Sequence, residues 1–306
     1  MTAIAQIKPA ECQLESFLNA QTSEATRRAY RSDLIGFFGT SLIIADQIQD
    51  TTTEDIEDYR NSLMEQGVKP NTINRKLTSL RGFFKRSQAK GLISINPCDL
   101  VKGYKKSNAS VGKAVETDAL LKMIEIASKH PNKYKAKRDV ALITVLLYAG
   151  LRRSEACNME WSHIQREGGY DILVLPNTKS GVQQHVKLAK RAMDALRELS
   201  AVSLSDAPYV FESISPYIRS GDIGDKLHPD SLNRIIKHYG EKAGVSLSAH
   251  SLRHTCCTLS MEGGSTVQQA QAHLRHADIS TTMRYFEDRN HLSDNASDYI
   301  LMEDTE

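Results

Sequence analysis

No apolar run in the sequence is long enough to span a membrane, and the N-terminal stretch MTAIAQIKPAEC lacks both the basic and the apolar segments of a secretion signal. The chain is therefore expected in the cytoplasm. No C-x-x-C pair occurs among the five cysteines (Cys12, Cys98, Cys157, Cys256 and Cys257), and with their odd number the simplest reading is a reducing compartment. Excess charge is missing as well: a net +2 says little about nucleic acid by itself. What 306 residues do allow is two domains, each burying its own core.

The most informative absence is local. No acid occurs between Glu65 and Asp99, yet Lys69, Arg75, Lys76, Arg81, Lys85, Arg86 and Lys90 all do. Residues 71–90 read as one helix with Ile73, Leu77, Leu80 and Phe84 on one face and the basic residues off it. An ordinary exposed helix mixes signs to gain i, i+4 pairs. A solvated face is the bland reading, and a face turned to phosphate is the one that the missing acids favour. Two helices precede it, over residues 23–38 and 53–64, the second capped by Thr53 with Glu54, Asp55 and Glu57 in its first turn. Residues 102–113, KGYKKSNASVGK, have no apolar periodicity and suit a cationic linker, which divides the chain into 1–103, a linker over 104–115, and 116–306.

Beyond the linker, Thr117 caps a helix over residues 118–129, and residues 138–149 are apolar almost all round, predicting a buried helix ended by Gly150. Arg152 follows at once. A charge there must be paired or face a cleft, and Glu155 is spaced to hold it. Residues 170–175 and 184–188 read as two strands of a small antiparallel sheet, with Lys179 in the turn between them. Residues 189–199 and 229–244 are helical, the latter basic at Arg234, Lys237 and His238.

Then the chemistry concentrates. HSLRH (250–254) holds two histidines and an arginine, Arg275 and His276 form a second cationic pair, and Tyr285 follows in a polar setting. Converging cations neutralise the oxygens of a phosphodiester, and a phenol beside them can act as nucleophile. A rival reading makes His250, His254 and Cys257 zinc ligands, but it lacks a fourth ligand and sets Arg253 against a cation. Packing roles for His254, Cys256 and Cys257 suit them better.

HSLRH resembles the H-x-L-R-H box of the tyrosine recombinases, or phage integrase family, and Leu274-Arg275-His276 with Thr281, Thr282 and Tyr285 resembles their L-G-H…T-T-x-x-Y box. GLRRSE (150–155) is similar to the family's G-L-R-x-S-E box, and TKSG (178–181) to the hairpin turn that carries its lysine. TRRAYRSDLIGFF, NTINRKLTSLRGFFK and Ile95-Asn96-Pro97 resemble its core-binding domain. The resemblance implies a mainly α fold with a small antiparallel sheet, in which a helical core-binding domain and an α+β catalytic domain form a C-shaped clamp on DNA. It assigns Arg152, Lys179, His250, Arg253, His276 and Tyr285 to catalysis with Glu155 in support, and Arg75, Lys76, Arg81, Lys85, Arg86 and Lys90 to DNA binding.

The activity implied is site-specific recombination through a 3′-phosphotyrosyl link, with neither a metal nor another cofactor. Its partners would be double-stranded DNA with a core site, and three further copies in a synaptic tetramer assembled from monomers. Too few residues precede residue 11 for a separate arm-binding domain, as in the simpler two-domain recombinases. A type IB topoisomerase, which works on one duplex without synapsis, and a non-catalytic DNA-binding regulator are the alternatives. Tyr299 to Met302, apolar and near the terminus, should dock in a groove, on their own catalytic domain or, as the resemblance implies, on the next protomer. One departure stands out. The family usually has glycine where this chain has Arg275, so the turn before His276 is expected either to need no glycine geometry or to be distorted.

Overall fold

The structure, a computed structural model, describes residues 13–105, 114–176, 183–203, 206–214 and 225–276. It divides into two compact units, Met1–Asn108 and Ala109–Glu306. Among the described residues no helix is long and apolar enough to cross a membrane.

The first unit is helical: α1 (Gln13–Asn19), α2 (Glu24–Phe38), α3 (Ala45–Asp50), α4 (Thr53–Glu65) and α5 (Pro70–Ala89). The cap of α4 falls one residue earlier than expected. Thr52 accepts from the Asp55 amide at 3.2 Å while the Asp55 carboxylate accepts from the Thr52 amide at 2.8 Å, a reciprocal pair that fixes where the helix begins. Pro70 starts α5, where a missing N–H costs nothing. Ile73, Leu77, Leu80, Phe83 and Phe84 turn inward, and Phe83 meets Phe17 edge-on with centroids 5.5 Å apart.

The acid that the sequence withholds from α5 arrives from α2. Asp33 is buried, and its carboxylate accepts from Arg75 and from the Ser79 hydroxyl at 3.0 Å, with the Lys76 ammonium 3.5 Å away. The start of the expected linker is also held down, because the Asn74 side chain brackets Tyr104 through its amide at 2.9 Å and its carbonyl at 2.8 Å.

The second unit packs helices around α7 (Lys133–Ala149), which begins earlier than its apolar run because Asn132 caps it, accepting from the Lys135 amide at 2.9 Å. Against it lie α6 (Thr117–Ser128), α9 (Lys190–Ser200) and α11 (Ala249–Glu262), while α10 (Pro229–Ala243) packs on α6 and α11 and reaches α7 through the Tyr239 hydroxyl, which donates to Asp139 at 2.9 Å. The short α8 (Arg153–Cys157) and α12 (Val267–Leu274) complete the helices used below. Thr117 is the first residue of α6 and not its cap.

The sheet has three strands in sequential antiparallel order, β1 (Ile164–Glu167), β2 (Tyr170–Leu175) and β3 (Gln184–Lys187), with Leu173 paired to both Ile164 and Val186. The strand missing from the sequence reading is β1, a largely exposed edge whose residues show no apolar alternation.

Candidate active site

Three backbone features bring Arg152, His250, Arg253 and His276 together. Gly150 ends α7 at φ 53°, and a side chain there would meet the Leu274 methyl at 2.5 Å, so the chain turns sharply with α12 against it. That turn makes Arg152 the residue before α8. Ser248 caps α11, accepting from the Ser251 amide at 3.3 Å, which sets His250 and Arg253 in its first two turns. The end of α12 delivers Arg275 and His276, and His273 bonds back to the Tyr148 carbonyl at 3.0 Å.

Arg253 lies in the middle of this arrangement, only 4 % exposed, donating to the carbonyls of Gly150 and Leu274. Burial lowers its pKa to about 10, helped by the charges of Arg152 and Arg275. Arg152 stays open, its side chain 41 % exposed, with one nitrogen on Glu155 at 2.7 Å and the other on the Arg275 carbonyl at 3.0 Å. Burial pushes the Glu155 carboxyl up, but the Arg275 charge, the Arg152 amide and the Arg152 guanidinium outweigh it and hold it below the usual range. Three guanidinium groups thus gather around one carboxylate, leaving a net positive pocket suited to a phosphate.

His250 is exposed at the start of α11, and partial desolvation with the Arg253 charge lowers its pKa. His276 is pushed down to about 4 by burial first, then by Arg253, Arg152, Arg275 and His250. In the DNA-free protein its imidazole should therefore stay neutral well below pH 6.5. The unfolded chain binds that proton first, so His276 makes the fold lose stability as pH falls from about 6.5 toward 4. An NMR titration reads this directly, and a midpoint near 6.5 would contradict the burial described here.

Lys179 and Tyr285 lie outside the described residues, as does the segment 299–302. The base of the Lys179 turn is nevertheless placed: Leu175 and Pro176 line, with Glu155 and Lys226, an open cavity of about 460 Å³ beside α8.

The residues of the rival zinc reading lie in different surroundings. His254 and Cys257 are buried in α11 while His250 is exposed, and no metal-binding group of three such side chains occurs among the described residues. Burial pushes the thiols of Cys256 and Cys257 up to about 12 and about 11, consistent with packing.

Of the six basic residues proposed for DNA on α5, Arg75 and Lys76 face Asp33, Arg81 donates to the Val101 carbonyl at 2.5 Å, and Lys90 bonds to Gln13 and Ser16. Lys85 and Arg86 are exposed toward the C-terminal end of α5.

Arg275 is what the sequence reading underrated. The turn before His276 keeps the left-handed geometry of a glycine, φ 57° and ψ 45°, with an arginine in it. Its guanidinium runs back beneath the site, 4 % exposed, to Glu155 at 2.8 Å and to the carbonyls of His273 at 2.9 Å and Gly150 at 3.4 Å.

Residues 113–291 match the Phage integrase family, and residues 14–91 match the N-terminal SAM-like domain of phage integrases. The chain is 30 % identical over 283 residues to tyrosine recombinase XerC of Rhodospirillum centenum, covering 88 % of this chain and 80 % of that protein. It is 26 % identical over 275 residues to XerC of Thermodesulfovibrio yellowstonii, covering 86 % and 85 %. Similar folds occur in a lambda integrase dimer bound to a COC′ core site, with TM-score 0.70, 18 % identity and 92 % and 78 % of the two chains covered. The XerH recombinase bound to palindromic difH after cleavage gives TM-score 0.69, again at 18 % identity, covering 91 % and 81 %.

Proposed function

The chain belongs to the phage integrase family, and from that premise we propose that it is a site-specific DNA recombinase whose own residues cleave and rejoin strands through a 3′-phosphotyrosyl intermediate. The observation that carries this reading is the convergence of Arg152, Arg253 and Arg275 near Glu155, with His250 and His276 close enough to feel the Arg253 charge, from three segments of which Arg152 and Arg275 lie 123 positions apart. A regulator that only bound DNA would need no such pocket.

Arg152, with N–H groups to spare and an exposed side chain, holds a non-bridging oxygen of the scissile phosphate. Arg253 stabilises the charge that builds on those oxygens as the phosphorus becomes five-coordinate, and His276 donates a further hydrogen bond. The Tyr285 hydroxyl oxygen bonds to phosphorus as the bond to the 5′-oxygen breaks. Its proton passes to His250, and Lys179 supplies a proton to the departing 5′-oxygen. A 5′-hydroxyl from a partner strand reverses the step. One phosphodiester bond is exchanged for another of similar energy, so the chemistry calls for no nucleotide and no metal.

The first unit adds backbone contacts, and four copies from a monomeric pool assemble on two core sites. The segment around 299–302 docks on the neighbouring copy in that assembly. The single deciding experiment is to trap an adduct on a nicked suicide duplex in EDTA and map it by peptide digestion. A covalent link at Tyr285 is expected; no adduct, or strict dependence on a divalent ion, would sink the reading. Recombination between two sites on one plasmid then separates it from single-duplex strand passage.

For the basic helix the expected outcome is now specific. Lys85→Ala with Arg86→Ala should weaken DNA binding and lower the slope of log affinity against log salt by about 0.9 for each phosphate no longer neutralised. Arg75→Ala with Lys76→Ala should instead lower stability, since Asp33 would be left buried with only a hydroxyl partner. Equal slopes before and after the first pair of changes would return α5 to a solvated face.

A further inference from the structure

Arg275 combines two costs. A non-glycine residue at φ 57° is uncommon, and its Nε is buried with no hydrogen-bond partner. A side chain held under those conditions is held by its remaining contacts, and apart from the His273 carbonyl of its own turn they lead to Arg152 and Arg253. Glu155 is the link. Its Oε2 accepts from the Arg152 amide at 2.7 Å and from Arg275 at 2.8 Å, so only Oε1 is left to meet the Arg152 guanidinium, at 2.7 Å.

A carboxylate and a guanidinium left to themselves favour the two-point fork. Arg275, together with the Arg152 amide, fills the second oxygen and so blocks that arrangement, while the Arg275 carbonyl takes the other Arg152 nitrogen at 3.0 Å. The Arg152 plane is thereby fixed from two directions with donors remaining on its open side. Through the Gly150 carbonyl, Arg275 also shares an acceptor with Arg253.

We propose that Arg275 is a positioning residue for strand cleavage: by dividing Glu155 between two guanidinium groups and anchoring the turn that carries His276, it sets the orientation in which Arg152 meets the phosphate. Its side chain, 4 % exposed, is too deeply buried to present a donor to DNA. Its effect is exerted through Glu155, which makes the two residues energetically coupled. The inference rests on the recombinase reading above, and its test separates the two.

The experiment measures single-turnover adduct formation on a nicked suicide duplex, with DNA affinity and melting temperature recorded in parallel. The variants are Arg275→Gly, Arg275→Lys, Glu155→Gln and Glu155→Gln with Arg275→Gly. Glycine suits the left-handed turn, so Arg275→Gly keeps the backbone while losing the guanidinium. Its cleavage is expected to slow about tenfold or more with DNA affinity within about twofold, and lysine, which keeps the charge without the fork, should recover part of the rate. In the Glu155→Gln background, loss of Arg275 should cost no more than about threefold further.

A wild-type rate for Arg275→Gly overturns the proposal. So does a lysine variant no faster than glycine, or an equal loss with and without Glu155, or a rate loss that only follows a loss of DNA affinity or melting temperature. Failure of the unaltered protein to form any adduct would overturn the recombinase reading itself, and this inference with it.

Discussion

Arg253→Ala is expected to lower the rate of adduct formation by about a thousandfold or more, and the folded protein should lose about 2–5 kcal/mol of stability at the same time. Both effects come from one feature: the guanidinium is buried and bridges the carbonyls of Gly150 and Leu274. Its loss removes a cation from the place where transition-state charge builds, takes the donor from the Leu274 carbonyl and leaves the Gly150 carbonyl only Arg275 at 3.4 Å. Arg253→Lys separates the two consequences. An ammonium keeps the charge but cannot span both carbonyls, so part of the stability should return while cleavage stays at least about tenfold slow. Urea unfolding and single-turnover cleavage of the two variants read this directly. An alanine variant that melts like the unaltered protein would mean that Arg253 is not structural, contrary to the bonds described.

Glu155→Ala is the second large effect, a loss of about 3–5 kcal/mol, because it leaves the Arg275 charge buried without its carboxylate. Adding Arg275→Gly to the same chain should restore most of that loss, since the stranded charge and the left-handed strain leave together. The pH dependence has a definite sign. The folded Glu155 carboxyl is held below its ordinary 4.5, so its stabilising contribution is present above pH 4.5 and is lost as pH falls through the lower folded value. Acid unfolding of Glu155→Gln should accordingly be less steep below pH 4.5 than that of the unaltered chain. A double variant no more stable than Glu155→Ala would show that the two residues are not partners in solution.

The boxes that carry Arg152, His250, Arg253 and His276 are short and local, and the fold brings all four together as their order suggests. The helices were legible for the same reason: α5 and α7 each bury a face written into consecutive turns. What escaped was tertiary. The acid opposite α5 was sought within the helix, where i, i+4 pairs would put it, but Asp33 stands 42 residues before its partner Arg75. Strand β1 is an exposed edge, and edges carry little alternation to read. Arg275 could be seen as an anomaly against the family pattern, but its direction could not. Whether a side chain at a left-handed residue turns outward or back under the site depends on Gly150 and Glu155, which lie more than a hundred positions away.

The turn at Gly150 is finished only from afar. Its carbonyl is claimed by Arg253 and Arg275, and Leu274 occupies the space that a side chain at 150 would have needed. On a ribosome, the chain through α8 emerges long before these partners exist, and closing so long a loop waits until residues 253 and 274–275 have been made. A nascent chain therefore carries Arg152 and Glu155 without a pocket to put them in. A chain interrupted before residue 253 would hold the turn at Gly150 without either guanidinium that claims its carbonyl.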